Sequence, residues 1–320
     1  MDWYPFVFQP ILKERIWGGT KLRDLLHKSI TSAMTGESWE ISTVPGDVSV
    51  VANGVFAGVD LNTLIQQNPE GLLGKKVTAQ YGSQFPLLFK FLDAREDLSI
   101  QVHPNDALAK ARHNSFGKTE MWYVMQADAT AQLIVGFKED SNATAYQNAL
   151  NHHQVVDLLQ QYPVQKGDVF FLETGTVHAI GAGTLIAEIQ QTSDITYRIY
   201  DFDRRDAQGN LRELHTELAL DAINYNKTSS KQNYDRIPNV ANVMVDCPFF
   251  TTAFLPLNGK ASCNRSGESF TVVMVVEGEA LLTYCTGSMP IHKGMTVLLP
   301  AGLGLVHLEG QAELLEITIS

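Results

Sequence analysis

Cysteine is scarce. Cys247, Cys263 and Cys285 are the three thiols in 320 residues, all in the last quarter, and no pair has CxxC-type spacing. An odd, unpatterned set excludes a disulfide framework and a cysteine-rich zinc knot, and reads as reduced, mostly buried small hydrophobes. Long apolar runs are missing as well: no stretch approaches the roughly 18 residues that mark a membrane span. The start, Met1-Asp2-Trp3-Tyr4-Pro5, has neither the basic nor the apolar region of a secretory signal. A cytoplasmic protein is therefore expected. Positive charge is in deficit, with 24 Lys and Arg against 35 Asp and Glu and a net charge of -11. That balance argues against nucleic acid or an anionic membrane as the main partner, because either demands clustered cations. A small anionic ligand needs only two or three local cations and stays open.

What is present is an ordinary globular composition, 44% hydrophobic and 18% charged. The length is about twice that of a typical single domain, which points to two domains or two copies of one small architecture. Short β-branched and aromatic runs recur between Gly, Pro and Asn-Gly punctuation: 49–54, 131–136, 168–172 and 271–276. Many short strands separated by turns suggest a sandwich or barrel. Helical periodicity is confined to 61–67, 106–112, 145–161 and 216–224, the third with Leu150, Val155, Leu158 and Leu159 on one face.

One internal echo organises the chain. Gly167-Asp168-Val169-Phe170-Phe171-Leu172, a turn containing Gly175, and then His178 line up with Gly294-Met295-Thr296-Val297-Leu298-Leu299, a turn containing Gly302, and then His307. Each resembles the second signature motif of the cupin superfamily, roughly G-x5-P-x-G-x2-H. The first copy has Glu173 where Pro usually stands, and the second has one extra residue before His307. The resemblance implies a mainly β fold, two tandem cupin-like jelly-roll barrels with a few decorating helices. The expected division is 1–225, a catalytic metal-binding domain with helical decorations, and 226–320, a degenerate cupin-like domain.

Strand side chains two residues apart share a face, so Gln101 and His103 both point into such a barrel. Glu120 lies in the strand-like run Lys118-Thr119-Glu120-Met121-Trp122-Tyr123, and His178 in the first echo. Two imidazoles and a carboxylate with open positions suit catalytic zinc, with the Gln101 amide as a weaker fourth ligand; Fe(II) accepts a similar set. His307 has no neighbouring QxH or HxH partner, and the second barrel is expected to be metal-free.

The flanks carry a more specific likeness. Trp17-Gly18-Gly19, Gly36-Glu37-Ser38-Trp39-Glu40-Ile41-Ser42, the 85–94 stretch, Leu98-Ser99-Ile100-Gln101-Val102-His103-Pro104, Gly117-Lys118-Thr119-Glu120, Gly175-Thr176-Val177-His178 and the 188–201 stretch together resemble the type I mannose-6-phosphate isomerases in their short bacterial form. The resemblance covers most of the first 220 residues. It implies one zinc ion per chain held by Gln101, His103, Glu120 and His178, an active-site arginine at Arg198, and interconversion of D-mannose 6-phosphate and D-fructose 6-phosphate through an enediol. Acid-base candidates in the matched stretches are Lys118, Glu188 and Asp194. Ser99, Lys90, Arg198 and Arg204 are candidates for the phosphate. Alternation along 188–198 is expected to send Glu188, Asp194 and Arg198 to one face. Two rivals stand beside the isomerase: a metal-bound cupin that only binds a sugar phosphate, and an Fe(II) cupin dioxygenase. Trp39, Trp122 and Tyr197 are expected in barrel packing rather than against the sugar.

Overall fold

A computed structural model of the chain describes residues 2–205, 209–263 and 267–319. The fold is mainly β, built from antiparallel sheets with helices laid around them. In the first unit a five-stranded sheet runs in the order Leu159–Pro163, Gln132–Phe137, His178–Ile180, Ile100–Val102, Tyr197–Tyr200. A seven-stranded sheet runs Lys231–Gln232, Val169–Leu172, Glu120–Ala127, Thr184–Gln191, Leu87–Ala94, Thr35–Ile41, Ile11–Gly19.

Alternation sorts each strand between two cores. From Glu120–Ala127, Trp122 and Val124 pack with Leu133, Val135 and Ile180 of the five-stranded sheet, whereas Met121, Tyr123 and Met125 join a separate cluster on the other face. A sheet covered on both faces needs apolar residues at nearly every position, so these strands read as continuous runs. The outer face of the five-stranded sheet is covered in the same way: Ile100, Val102 and Tyr197 pack against Tyr146 of the Ala143–Asn151 helix and Ala219 of the Thr216–Leu220 helix.

The second unit is a seven-stranded sheet in the order Phe6–Val7, Thr296–Leu299, Thr271–Tyr284, Val306–Thr318, Thr251–Cys263, Asn242–Asp246, with Gly287–His292 hairpinned onto Thr271–Tyr284. Its long central strands change partners part-way, and the register shifts between Val275 and Glu277. Strand pairing also links the units. Phe6–Val7 pairs with Thr296–Leu299, and Lys231–Gln232 pairs with Val169–Leu172. The outer face of the first unit's seven-stranded sheet is closed by the second unit, with Tyr123 stacked on Phe254 at 6.0 Å and 19°. Each fully buried Phe or Met at this junction contributes roughly 1.5–3 kcal/mol.

The two echoes take equivalent places. Gly167 (φ +89°) and Gly294 (φ +87°) occupy the left-handed conformation just before Val169–Leu172 and Thr296–Leu299. Their histidines differ. His178 is 1% exposed and faces the barrel interior with Ile180, whereas His307 is exposed between buried Val306 and Leu308. The extra residue in the second copy moves the histidine by one strand position, and one position is one face. His307 Nδ1 lies 2.9 Å from Ser262 Oγ.

Leu61–Gln67 forms as its pattern predicts: Asp60 caps it through Thr63 N–H at 3.0 Å, and Leu61, Leu64 and Ile65 are buried. The 106–112 segment is a helix over Asp106–His113, closed by Asn114 at φ +51°. The expected helix over 145–161 is instead three elements: helix Ala143–Asn151, a 3-10 turn Val155–Leu158, and the edge strand Leu159–Pro163. His153, at φ +57°, breaks the helix, and Leu159 is buried as it pairs with Phe137. The helix expected over 216–224 stops at Leu220. Pro69–Leu73 and Lys75–Tyr81, which periodicity did not reveal, bury Leu72, Leu73 and Val77 in the junction core. The thiols are less sheltered than expected: Cys247 and Cys263 are half-buried and Cys285 is exposed in a hairpin turn.

Candidate metal centre and substrate cavity

Three chain-distant residues meet between the two sheets of the first unit. One ligand atom from each of His103, Glu120 and His178 lies within 4.8 Å of the others. Glu120 comes from the seven-stranded sheet and His178 from the five-stranded one, where it pairs with Gln101; Gln101 Nε2 stands 3.2 Å from His178 Nε2. All three are buried, at 0–2% exposure.

The hydrogen bonds orient both imidazoles. His103 Nδ1 is 2.9 Å from the Ile195 carbonyl and His178 Nδ1 is 2.7 Å from the Thr176 carbonyl. A carbonyl only accepts, so each Nδ1 carries the hydrogen and each Nε2 presents a lone pair towards Glu120, at 3.6 and 3.4 Å. Burial drives His103 well below the ordinary imidazole pKa, helped by Lys118, and drives His178 down to about 4. Both rings are neutral at physiological pH. Among the described residues, neither carboxylate oxygen of Glu120 receives a well-directed hydrogen bond, although Lys118 Nζ lies 3.1 Å from Oε2. A buried carboxylate with one charged neighbour and no well-directed donor is costly. A divalent cation facing two imidazole lone pairs, this carboxylate and the Gln101 amide would satisfy it, so the residues present fit a zinc-type site.

Above this cluster opens a cavity of about 500 Å³, lined by both sheets. Gln101 and Lys118 reach it from the cluster, and Lys90, Ser99, Glu188, Asp194 and Arg198 line it as well. Lys118 is 3.1 Å from His103 Nε2. Burial alone would depress its pKa, but Glu120 and Glu188 outweigh burial and keep the amine charged. Glu188 accepts from Trp122 Nε1 at 3.0 Å and pairs with Lys90 at 3.1 Å. Burial pushes this carboxyl upward, but Lys90 and Lys118 hold it down, at about 2. Lys90 also lies 5.0 Å from the Trp39 ring.

Glu188, Asp194 and Arg198 do not share one strand. Glu188 is on Thr184–Gln191 in the seven-stranded sheet, Arg198 on Tyr197–Tyr200 in the five-stranded sheet, and exposed Asp194 on the crossing between them. They converge because that crossing bridges the sheets. Arg204 is the candidate not brought to the cavity. Its guanidinium is engaged by Asp201 Oδ1 and the Asp97 carbonyl, and it lies outside the lining. Lining cations not singled out above are Lys13, Arg15 and Arg212. Lys13, Arg15 and Trp17 alternate along Ile11–Gly19, a period-2 signal that was readable; Arg212 sits outside a regular element and gave none. Trp39, buried with Val44 and Leu88, also lines the cavity, and Trp122 and Tyr197 are buried as expected.

A mainly β, cupin-type protein with a His-Glu-His cluster beneath a charged cavity defines the class. The family models for the type I phosphomannose isomerase catalytic domain and the mannose-6-phosphate isomerase cupin domain match residues 6–130 and 240–319. Mannose-6-phosphate isomerase ManA of Bacillus subtilis is 39% identical over 97% of both chains, and the mannose-6-phosphate isomerase of Streptococcus mutans 37% over 97% of both. The crystal structure of the mannose 6-phosphate isomerase from Bacillus subtilis superposes with a TM-score of 0.90 at 35% identity, covering 98% of this chain and 99% of that one. The chain belongs to the type I mannose-6-phosphate isomerase family. A variant of phosphomannose isomerase from Salmonella typhimurium, at 16% identity and a TM-score of 0.80, shares the fold.

Proposed function

We propose that this protein interconverts D-mannose 6-phosphate and D-fructose 6-phosphate through an enediol, using one zinc ion held by Gln101, His103, Glu120 and His178. The observation that carries the reading is the pair of donor-poor Glu120 oxygens facing two imidazole lone pairs at the base of a cation-rich cavity. When bound, zinc supplies Lewis-acid polarisation of the sugar oxygens.

The protein's own groups supply the rest. The reaction moves a proton between C2 and C1 and develops negative charge on oxygen. Lys118, held as the ammonium, donates to that oxygen. Glu188, held as the carboxylate and lining the cavity, accepts the carbon-bound proton. Asp194 lies at the exposed end, where water competes for the same transfer. The acidic chain and its solvent-facing cavity favour a free sugar phosphate over a nucleic acid, and we place the reaction in the cytoplasm.

The test is a coupled assay that follows fructose 6-phosphate formed from mannose 6-phosphate before and after chelation, with metal content measured in parallel. Turnover lost on chelation and restored by zinc supports the assignment. Bound sugar phosphate without turnover would favour the mere binder, and iron with oxygen consumption the dioxygenase; either overturns it.

A further inference from the structure

We propose that Arg212 is the residue that selects the phosphorylated substrate, gripping the 6-phosphate beside Arg198 at the end of the cavity away from the His-Glu-His cluster. The inference rests on the isomerase reading for the identity of the sugar, but on the arrangement of ion pairs for the site.

The cations of the cavity are not equivalent. Lys13 is paired with Asp47, Arg15 with Glu37 at 2.9 Å, Lys90 with Glu188 at 3.1 Å and Lys118 with Glu120 at 3.1 Å. Arg198 has no such partner among the described residues. Its Nη1 donates to the Glu213 carbonyl at 2.7 Å, and its Nε is buried without an acceptor. Arg212 Nη1 lies 3.3 Å from Asp201 Oδ1, an oxygen also engaged by Arg204. Arg204 and Arg212 share the Asp201 carboxylate, whereas Arg198 is ion-paired with no carboxylate among the described residues, in a chain whose net charge is -11. A phosphate monoester carries about -1.5 to -2 at pH 7, a charge that an unpaired guanidinium and one sharing its carboxylate can receive. Planar guanidinium forks grip such oxygens two at a time.

Backbone bonds fix the pair side by side. Arg198 N–H donates to His215 Nδ1 at 3.0 Å, and His215 N–H donates to the Arg198 carbonyl at 2.7 Å, tying the segment that carries Arg212 along the Tyr197–Tyr200 strand. Arg198 pairs in register with Gln101, which touches His178. The strand that carries Arg198 is next to that of Gln101 and two from that of His178, roughly 5–10 Å of backbone separation. A hexose phosphate carries its reacting carbons and its phosphate at opposite ends of one carbon chain, and that separation suits it. Burial, followed by the charges of Arg198, Arg204 and Arg15, opposes the positive form of Arg212, so a bound dianion relieves existing repulsion.

The experiment compares Arg212→Ala and Arg212→Lys with the parent enzyme and with Lys260→Ala, a control on the second unit. Steady-state kinetics on mannose 6-phosphate are read alongside the rise in melting temperature caused by inorganic phosphate. Arg212→Ala is expected to raise KM by about tenfold or more, the scale of one lost charged hydrogen bond, with kcat within about threefold, and to abolish the phosphate-induced rise. Arg212→Lys falls between. An unchanged KM with an unchanged phosphate response overturns the proposal, as does a fall in kcat alone. If Arg212→Ala does not fold, Arg212→Lys decides: raised KM supports the site and parent-like KM removes it. Should the parent enzyme show no turnover while phosphate still stabilises it but not the Arg212 variants, the isomerase reading falls and the anion site stands.

Discussion

Gln101 and His178 face each other across an antiparallel strand pair, with 3.2 Å between the Gln101 amide nitrogen and His178 Nε2. The cross-strand register is what brings the amide to the imidazole, so a side chain from one motif and a side chain 77 residues later act at one point.

His178→Ala is expected to lose bound metal while keeping the fold, because it deletes one donor and leaves both sheets paired. Arg198→Ala is expected to retain the metal and lose kcat/KM. Zinc content by elemental analysis, measured beside circular dichroism, checks both; a full zinc complement in His178→Ala would remove the histidine from the ligand set.

Glu188→Gln should destabilise the protein by up to ~3–5 kcal/mol, since it leaves the buried Lys90 ammonium without its charge partner. The folded carboxyl is depressed from 4.5 to about 2, so its contribution is full at pH values above 4.5 and lost as pH falls towards 2. Denaturant unfolding at pH 7 and at pH 3 is expected to show the smaller gap between variant and parent at pH 3. An equal gap would mean that charge is not the cause.

Trp122→Phe preserves ring packing but removes the 3.0 Å donor to Glu188 Oε1. The expected loss is about 1–3 kcal/mol. In a double-mutant cycle with Glu188→Gln the two losses should not add, because both act on one carboxylate; strict additivity would show that the contact carries no energy.

Gly294→Ala should lower the melting temperature. The residue sits at φ +87°, and an added Cβ would lie 2.6 Å from the Leu26 carbonyl oxygen on the first unit. Left-handed backbone costs a non-glycine residue about 1–2 kcal/mol before that clash is counted. An unchanged melting temperature would show that the junction yields freely.

His307→Ala should leave both the metal stoichiometry and turnover unchanged, since this histidine is exposed and its ring is hydrogen-bonded to Ser262 on the second unit. A drop in bound metal would give the second unit a site of its own.

Local chemistry was written in the chain order. The strand runs, the helix at Leu61–Gln67, the two glycine-led echoes and the two-residue spacing of Gln101 and His103 are short-range features set by steric and hydrophobic periodicity. The sequence therefore determined which side chains point inward and which residue types could serve a metal and an anion. It did not determine where the polypeptide crosses between sheets. Only the tertiary structure put Glu188 and Arg198 on opposite walls of one cavity, turned Arg204 away to Asp201, and brought in Arg212 from a segment with no periodic signal. Long-range pairing is a competition among many partners for the same burial and charge, and nothing within a short window of sequence records its outcome.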